Sequence, residues 1–273
     1  MSIQLVRPRP TRILVLNPNS SQSMTDGLLP VINSVDLGPT VEVHTLTAPE
    51  PSPASINNDE DLGLSTSVAW DYLRLNKPEQ WDGILVACFS VHPLVRNIAT
   101  CVPRMPMPAT GIFEASVLAA MSLTDRNREE RWGIVTTGKF WEEHLSQGVA
   151  MELTGDSSAP FGPHSPFAGV ESTGLNASDF HHGVDPAVVT KKIKEATKRL
   201  LAKGTEHSRV TCIVMGCAGM AGLEETIRSA ASEGYGEKFA NEELHVVDGV
   251  RAGLMQIDQM IKNGRLRPRQ SIV

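Results

Sequence analysis

The chain is sparing with cysteine, with aromatic residues and with positive charge. Four cysteines are spread over 273 residues and none forms a CxxC pair, which excludes a disulfide framework and argues against a structural zinc site. Phe, Trp and Tyr supply only 5% of the residues, and 25 basic residues face 31 acidic ones, a net charge of −6. With no basic stripe to neutralise phosphates, a nucleic-acid partner is not expected. No apolar run reaches the ~20 residues that span a bilayer, so no membrane partner is expected either. The first ten residues carry arginines and prolines in place of an apolar secretory core. A cytoplasmic protein of a reducing compartment is the expectation. The GxGxxG dinucleotide fingerprint, the lysine-bearing phosphate loop and the GxSxG nucleophile elbow are all missing. The glycine-spaced turn from Gly216 to Gly222 is a conceivable phosphate cradle, but it lacks the lysine and acidic partners of nucleotide sites.

What is present is an alternation. Short aliphatic runs at 13–16, 41–46, 83–87, 109–112, 132–136, 210–216 and 244–247 read as strands. Helical patterns lie between them at 22–34, 61–75, 94–101, 114–122, 139–151, 186–203, 223–233 and 250–262. Such alternation predicts an α/β fold of parallel sheets flanked by helices, in one large domain or two lobes, with ligands at the carboxyl ends of the strands. Two segments break the rhythm and read as loops: 49–58, and the longer 154–183, which holds His164, His181 and His182. The longer one is either disordered or a lid or interface arm. The pair His181-His182 reads as a solvated loop feature rather than a metal site.

Cys88 and Cys217 each end an aliphatic run, in Gly-Ile-Leu-Val-Ala-Cys88 and Cys212-Ile-Val-Met-Gly-Cys217, and each is followed by residues able to open a helix. A thiol at a helix N-terminus ionises more easily. Two such thiols facing one another can take a proton from one face of a carbon and return one to the other face. The bland alternative is that both are core, because free cysteine is among the most buried residue types; Cys101 and Cys212 are read that way. Around the pair, Ser90, Val91, Ala218 and Gly219 offer backbone N–H groups to a developing enolate oxygen. The polar turns 17–20 and 136–138 offer contacts to ring carbonyls and N–H groups. Glu114 at a helix start is either a site residue or a plain partner of the helix dipole. This chemistry needs no metal and no organic cofactor.

The order of these pieces repeats. A strand with a polar turn (13–19), the Cys88 strand and a strand opening a helix (108–114) are echoed by 132–138, the Cys217 strand and 245–250. Two pseudo-symmetric lobes follow, about 12–115 with the C-terminal 245–262, and 130–244, each giving one thiol to an interlobe cleft.

The blocks Leu16-Asn17-Pro18-Asn19-Ser20-Ser21, Ala87-Cys88-Phe89-Ser90, Thr110-Gly111-Ile112-Phe113-Glu114 and Gly216-Cys217-Ala218-Gly219-Met220 resemble the Asp/Glu/hydantoin racemase superfamily, in particular its hydantoin and allantoin racemase branch with its fungal members. The resemblance implies a two-lobed fold without cofactor, and a two-base racemisation with Cys88 and Cys217 as the acid/base pair. It implies a small cyclic ureide as substrate, bound by Asn17, Ser20, Phe89, Ser90, Val91, Glu114, Thr136, Thr137, Ala218 and Gly219, and a homo-oligomer. A maleate-type isomerase on the same scaffold and a ligand-binding homologue without turnover remain as alternatives. One departure stands out: the family usually places an acid before the proline that follows the first cysteine, whereas this chain reads His92-Pro93.

Overall fold

The computed structural model describes residues 9–264 apart from 101–106, 163, 181, 182 and 206. Cys101, His181 and His182 therefore lie outside the described residues. The strands are β1 (Thr11–Asn17), β2 (Val41–Thr47), β3 (Gly83–Val86), β4 (Ala109–Gly111), β5 (Arg131–Thr136), β6 (Phe167–Ser172), β7 (Val210–Gly216) and β8 (His245–Asp248). The helices are α1 (Gln22–Ser34), α2 (Asp59–Leu75), α3 (Pro93–Ala99), α4 (Ile112–Leu123), α5 (Phe140–Thr154), α6 (Pro186–Leu201), α7 (Glu224–Tyr235) and α8 (Gly249–Gly264).

All strand pairs are parallel, in two four-stranded sheets ordered β2-β1-β3-β4 and β6-β5-β7-β8. Each half thus runs second, first, third, fourth, and the repeat legible in the sequence is a repeat of topology. Helices cover both faces of the central strands, so β3 and β7 are buried along their whole length and read as unbroken aliphatic runs. In the segment 154–183, expected to be a loop, the structure instead has β6 followed by a 3-10 turn at Ala177–Phe180. β6 is the counterpart of β2 and completes the second sheet.

Local signals set the helix ends. The Ser21 hydroxyl accepts the Met24 N–H at the start of α1, and Asn58 accepts the Asp61 N–H at the start of α2, where Asp59, Glu60 and Asp61 meet the positive end of the helix dipole. In α6, Pro186 follows the Asp185 cap, and Val189, Ile193, Ala196 and Leu200 form the buried stripe. The last helix binds the halves together. β8 belongs to the second sheet, but α8 returns to the first: a side chain on Gly253 would meet Leu85, and one on Gly83 would meet Ile257 and Ile261. Leu254, Ile257 and Ile261 are buried in that contact, each contributing about 1.5–3 kcal/mol of apolar burial. Among the described residues, no helix is long and apolar enough to cross a membrane.

Candidate active site

The two third-rank strands deliver the thiols. Cys217 directly follows β7, and Cys88 lies two residues past β3. Both line one cavity of about 30 Å³, with room for little more than a water. The first half gives it Asn19, Met24, Ile56, Ala87 and Phe89; the second gives Thr137, Trp141, Ala177, Gly216 and Ala218. A wider groove of about 670 Å³ opens between Asp59 and the start of α5, lined by Phe140 and His144 among others. It holds no thiol; Phe140 lines this groove and Trp141, its ring 5.0 Å away, lines the inner cavity. Both thiols lie on the smaller space.

The expected helix termini at the cysteines are only partly there. α3 starts at Pro93 with His92 as its cap, so Cys88 sits before the helix and gains nothing from its first turn. Cys217 caps a three-residue 3-10 turn, Ala218–Met220, and its Sγ accepts the Gly219 N–H at 3.3 Å. The Cys88 Sγ lies 3.4 Å from the Ser90 hydroxyl. Burial outweighs these contacts. It pushes Cys88 up to about 12, with Ser90 opposing and Cys217 and Glu114 adding to the rise, and pushes Cys217 up to about 11, with the Gly219 and Met220 N–H groups opposing. The expectation of easier ionisation is thus reversed, because desolvating a thiolate costs more than one or two local dipoles return. Admitting solvent or a polar ring relieves that largest cause first.

Of the remaining sequence candidates, Phe89, Thr137 and Ala218 line the cavity with the cysteines. Asn17 is one step back: its amide donates to Asn19 Oδ1 and to Thr25 Oγ1, each at 2.9 Å, and so aims Asn19 inward. Thr136 spends its hydroxyl on the Gly216 carbonyl at 2.7 Å, which fixes the strand end that carries Cys217. Ser20 donates its N–H to the Pro53 carbonyl, and the Ser52 hydroxyl bonds the Pro18 carbonyl at 2.6 Å. The 49–58 loop is thereby pinned over the Asn19 turn and presents Ile56 to the cavity. Ser90, Gly219, Val91 and Glu114 lie outside the cavity wall, Val91 close to Gly148 of α5. Ile56, Trp141 and Ala177 are lining residues that the sequence reading did not name, while Asn19 entered it only within the 17–20 turn, and Ala87 and Gly216 only within the cysteine blocks. Among the described residues, no three His, Cys, Asp or Glu side chains converge as a metal site would require.

His92, the departure in the sequence pattern, is buried and fully employed. The Leu94 N–H donates to Nδ1 at 3.3 Å, so the ring proton sits on Nε2 and faces the Ser65 hydroxyl at 3.2 Å, which in turn donates to the Leu62 carbonyl. Burial and, second, the nearby His144 push His92 down to about 3, so it is neutral at any working pH. An aspartate can keep the helix cap but places a negative charge four residues from Cys88. His92→Asp is expected to raise Cys88 further and so to move the alkaline limb of the pH–rate profile, read as kcat/KM against pH, to higher pH; an unaltered profile would show that position 92 does not tune the thiol.

A parallel α/β fold is thus repeated in two halves, with a thiol from each half on one cavity. The Asp/Glu/hydantoin racemase family model matches residues 13–257, and the chain belongs to that family, whose members are isomerases. An uncharacterized protein of Schizosaccharomyces pombe is 29% identical over 265 residues, covering 96% of each chain. The hydantoin racemase of Rhizobium meliloti is 25% identical, over 92% of this chain and 89% of its own. Among solved structures, the allantoin racemase of Klebsiella pneumoniae superposes with a TM-score of 0.71 at 22% identity, over 93% of this chain and 89% of that one. At that identity the likeness is one of fold.

Proposed function

We propose that the chain racemises a hydantoin-type ring at C5, with allantoin the first substrate to try, by proton transfer between Cys88 and Cys217. The observation that carries this reading is that both thiols open on one cavity from equivalent strands of the two halves. A thiolate on one side removes the C5 proton. The electron pair moves onto the adjacent carbonyl as an enolate, and the opposite thiol gives its proton to the other face. Asn19 and Thr137, buried polar residues on opposite walls, are the groups to bind ring N–H and carbonyl edges. A ring does not fit in about 30 Å³, so substrate enters an opened cleft and closure around it excludes water.

The test is proton NMR of enantiopure allantoin in deuterium oxide with the purified protein, set against buffer alone because such rings racemise slowly unaided. Loss of the C5 proton together with optical rotation, well above the buffer rate, is expected. No acceleration with allantoin or with 5-substituted hydantoins would overturn the reading, and a covalent adduct of maleate on Cys88 would point to cis–trans isomerisation instead.

A further inference from the structure

Apart from the two cysteines, every residue that lines the thiol cavity is buried, so a ring reaches the thiols only where the two halves part. Most of the seam between the halves is packed. α8 lies on β3 and β4, α4 lies against β7 and β8, and α1 packs on the 218–220 turn. Between the starts of α2 and α5 the halves instead leave the groove of about 670 Å³, the size of a small-molecule site. There the His144 Nδ1 stands 3.9 Å from the exposed carboxylate of Asp59. Burial lowers His144, with Asp59 opposing, so the ring is neutral at neutral pH and this contact adds little to closure.

Groove and cavity share their walls. Ile56 faces the cavity, and Asp59, three residues on, lines the groove. Across the seam Trp141 faces the cavity, while Phe140 and His144 of the same helix line the groove. The buried indole packs nearly perpendicular to both of those rings, 5.0 Å from Phe140 and 5.2 Å from His144. Phe140 and His144 are themselves only half-buried, so they can turn outward into the groove and the indole can follow without either sheet shifting. A cavity with room for little more than a water then becomes continuous with one that takes a ring.

We propose that Trp141, set against Ile56, is the gate between this groove and the thiols, and so the residue that sets the size of ligand reaching Cys88 and Cys217. Its relevance to catalysis rests on the two-thiol reading above, but thiol reagents report the route without turnover. A buried thiol reacts only from the open form, so its rate follows the opening equilibrium and the width of the passage.

The experiment treats the full-length protein, without substrate, with iodoacetamide and separately with N-phenylmaleimide, a bulkier reagent that carries a ring, and follows each cysteine by peptide mass spectrometry. Cys212, fully buried in β7 and away from the cavity, reports general loosening. Trp141→Ala is expected to speed N-phenylmaleimide at both Cys88 and Cys217 about tenfold or more, to speed iodoacetamide less, and to leave Cys212 unreactive. Ile56→Ala trims the opposite wall and is expected to act in the same direction, which keeps the test open should Trp141→Ala fail to fold. Trp141→Phe keeps a ring in place and should fall between the parent and Trp141→Ala. Acceleration of Cys212 in step with the other two, or no size-dependent change at Cys88 and Cys217 in whichever variant folds, would overturn the proposal. Failure of ring racemisation would leave these rates untouched, so the two readings fail separately.

Discussion

Cys217→Ser and Cys88→Ser are each expected to abolish racemisation, with a loss of about 10³-fold or more. Serine keeps the shape of the side chain and its short contacts, but its hydroxyl is far too weak an acid to supply a base near neutral pH. Each single variant still holds one thiol on one face of the ring. That thiol can remove the C5 proton of the enantiomer facing it and return a deuteron from the same side, giving exchange without inversion. The two variants should therefore exchange opposite enantiomers, while neither changes the optical rotation of the one it exchanges. The measurement is the C5 proton signal and the rotation followed together, starting from each enantiomer. Full racemisation by either variant would refute the two-base scheme. Melting temperatures should stay near that of the parent, since both thiols border a cavity rather than fill the core.

The fold was largely legible because its signal is repetitive and local. β1, β3 and β7 are aliphatic runs buried on both faces, and in such strands burial and sequence pattern coincide. β6 was not legible. It is an edge strand with Gly169 at φ +107° and a shift of register against β5, set among prolines, glycines and serines, so it presents neither an apolar run nor a clean alternation. β6 stands where β2 stands in the first sheet, a place that the repeat read from the sequence did not include. The thiols were legible because strand ends in parallel sheets converge by construction. Ile56 and Trp141 were not, for the opposite reason: a loop and a helix bring them to the cavity from across the cleft, and no spacing in the chain encodes that meeting. The ionisation of the thiols was misread because the sequence shows dipoles and hides desolvation.

Gly216→Ala should lower both stability and activity, and the reason lies in how Cys217 is held. Gly216 ends β7 opposite Thr136 of β5, and the Thr136 hydroxyl donates to its carbonyl at 2.7 Å. An added Cβ would sit 2.6 Å from the Ile134 Cγ2, 2.9 Å from the Thr136 Cβ and 2.9 Å from the Val135 carbonyl oxygen. One of these is backbone and another is the root of a side chain, so no rotamer change clears the space. The strand end must separate from β5, at a cost of about 1–3 kcal/mol, and it carries Cys217 with it. A displacement of the reacting atom on the order of 1 Å is worth about 10²-fold in rate. The expected result is a lower denaturant midpoint with an unchanged slope, together with a fall in kcat of that size and a smaller change in KM. Gly133 gives the control: a Cβ there would lie 2.5 Å from the Leu200 Cδ1 and 2.9 Å from the Gly169 carbonyl oxygen, on the β6 side of β5 and away from the strand that carries Cys217. Gly133→Ala should therefore lose stability but retain most of the rate that Gly216→Ala loses. Equal losses in the two variants would show that general packing, and not the seating of Cys217, sets the activity.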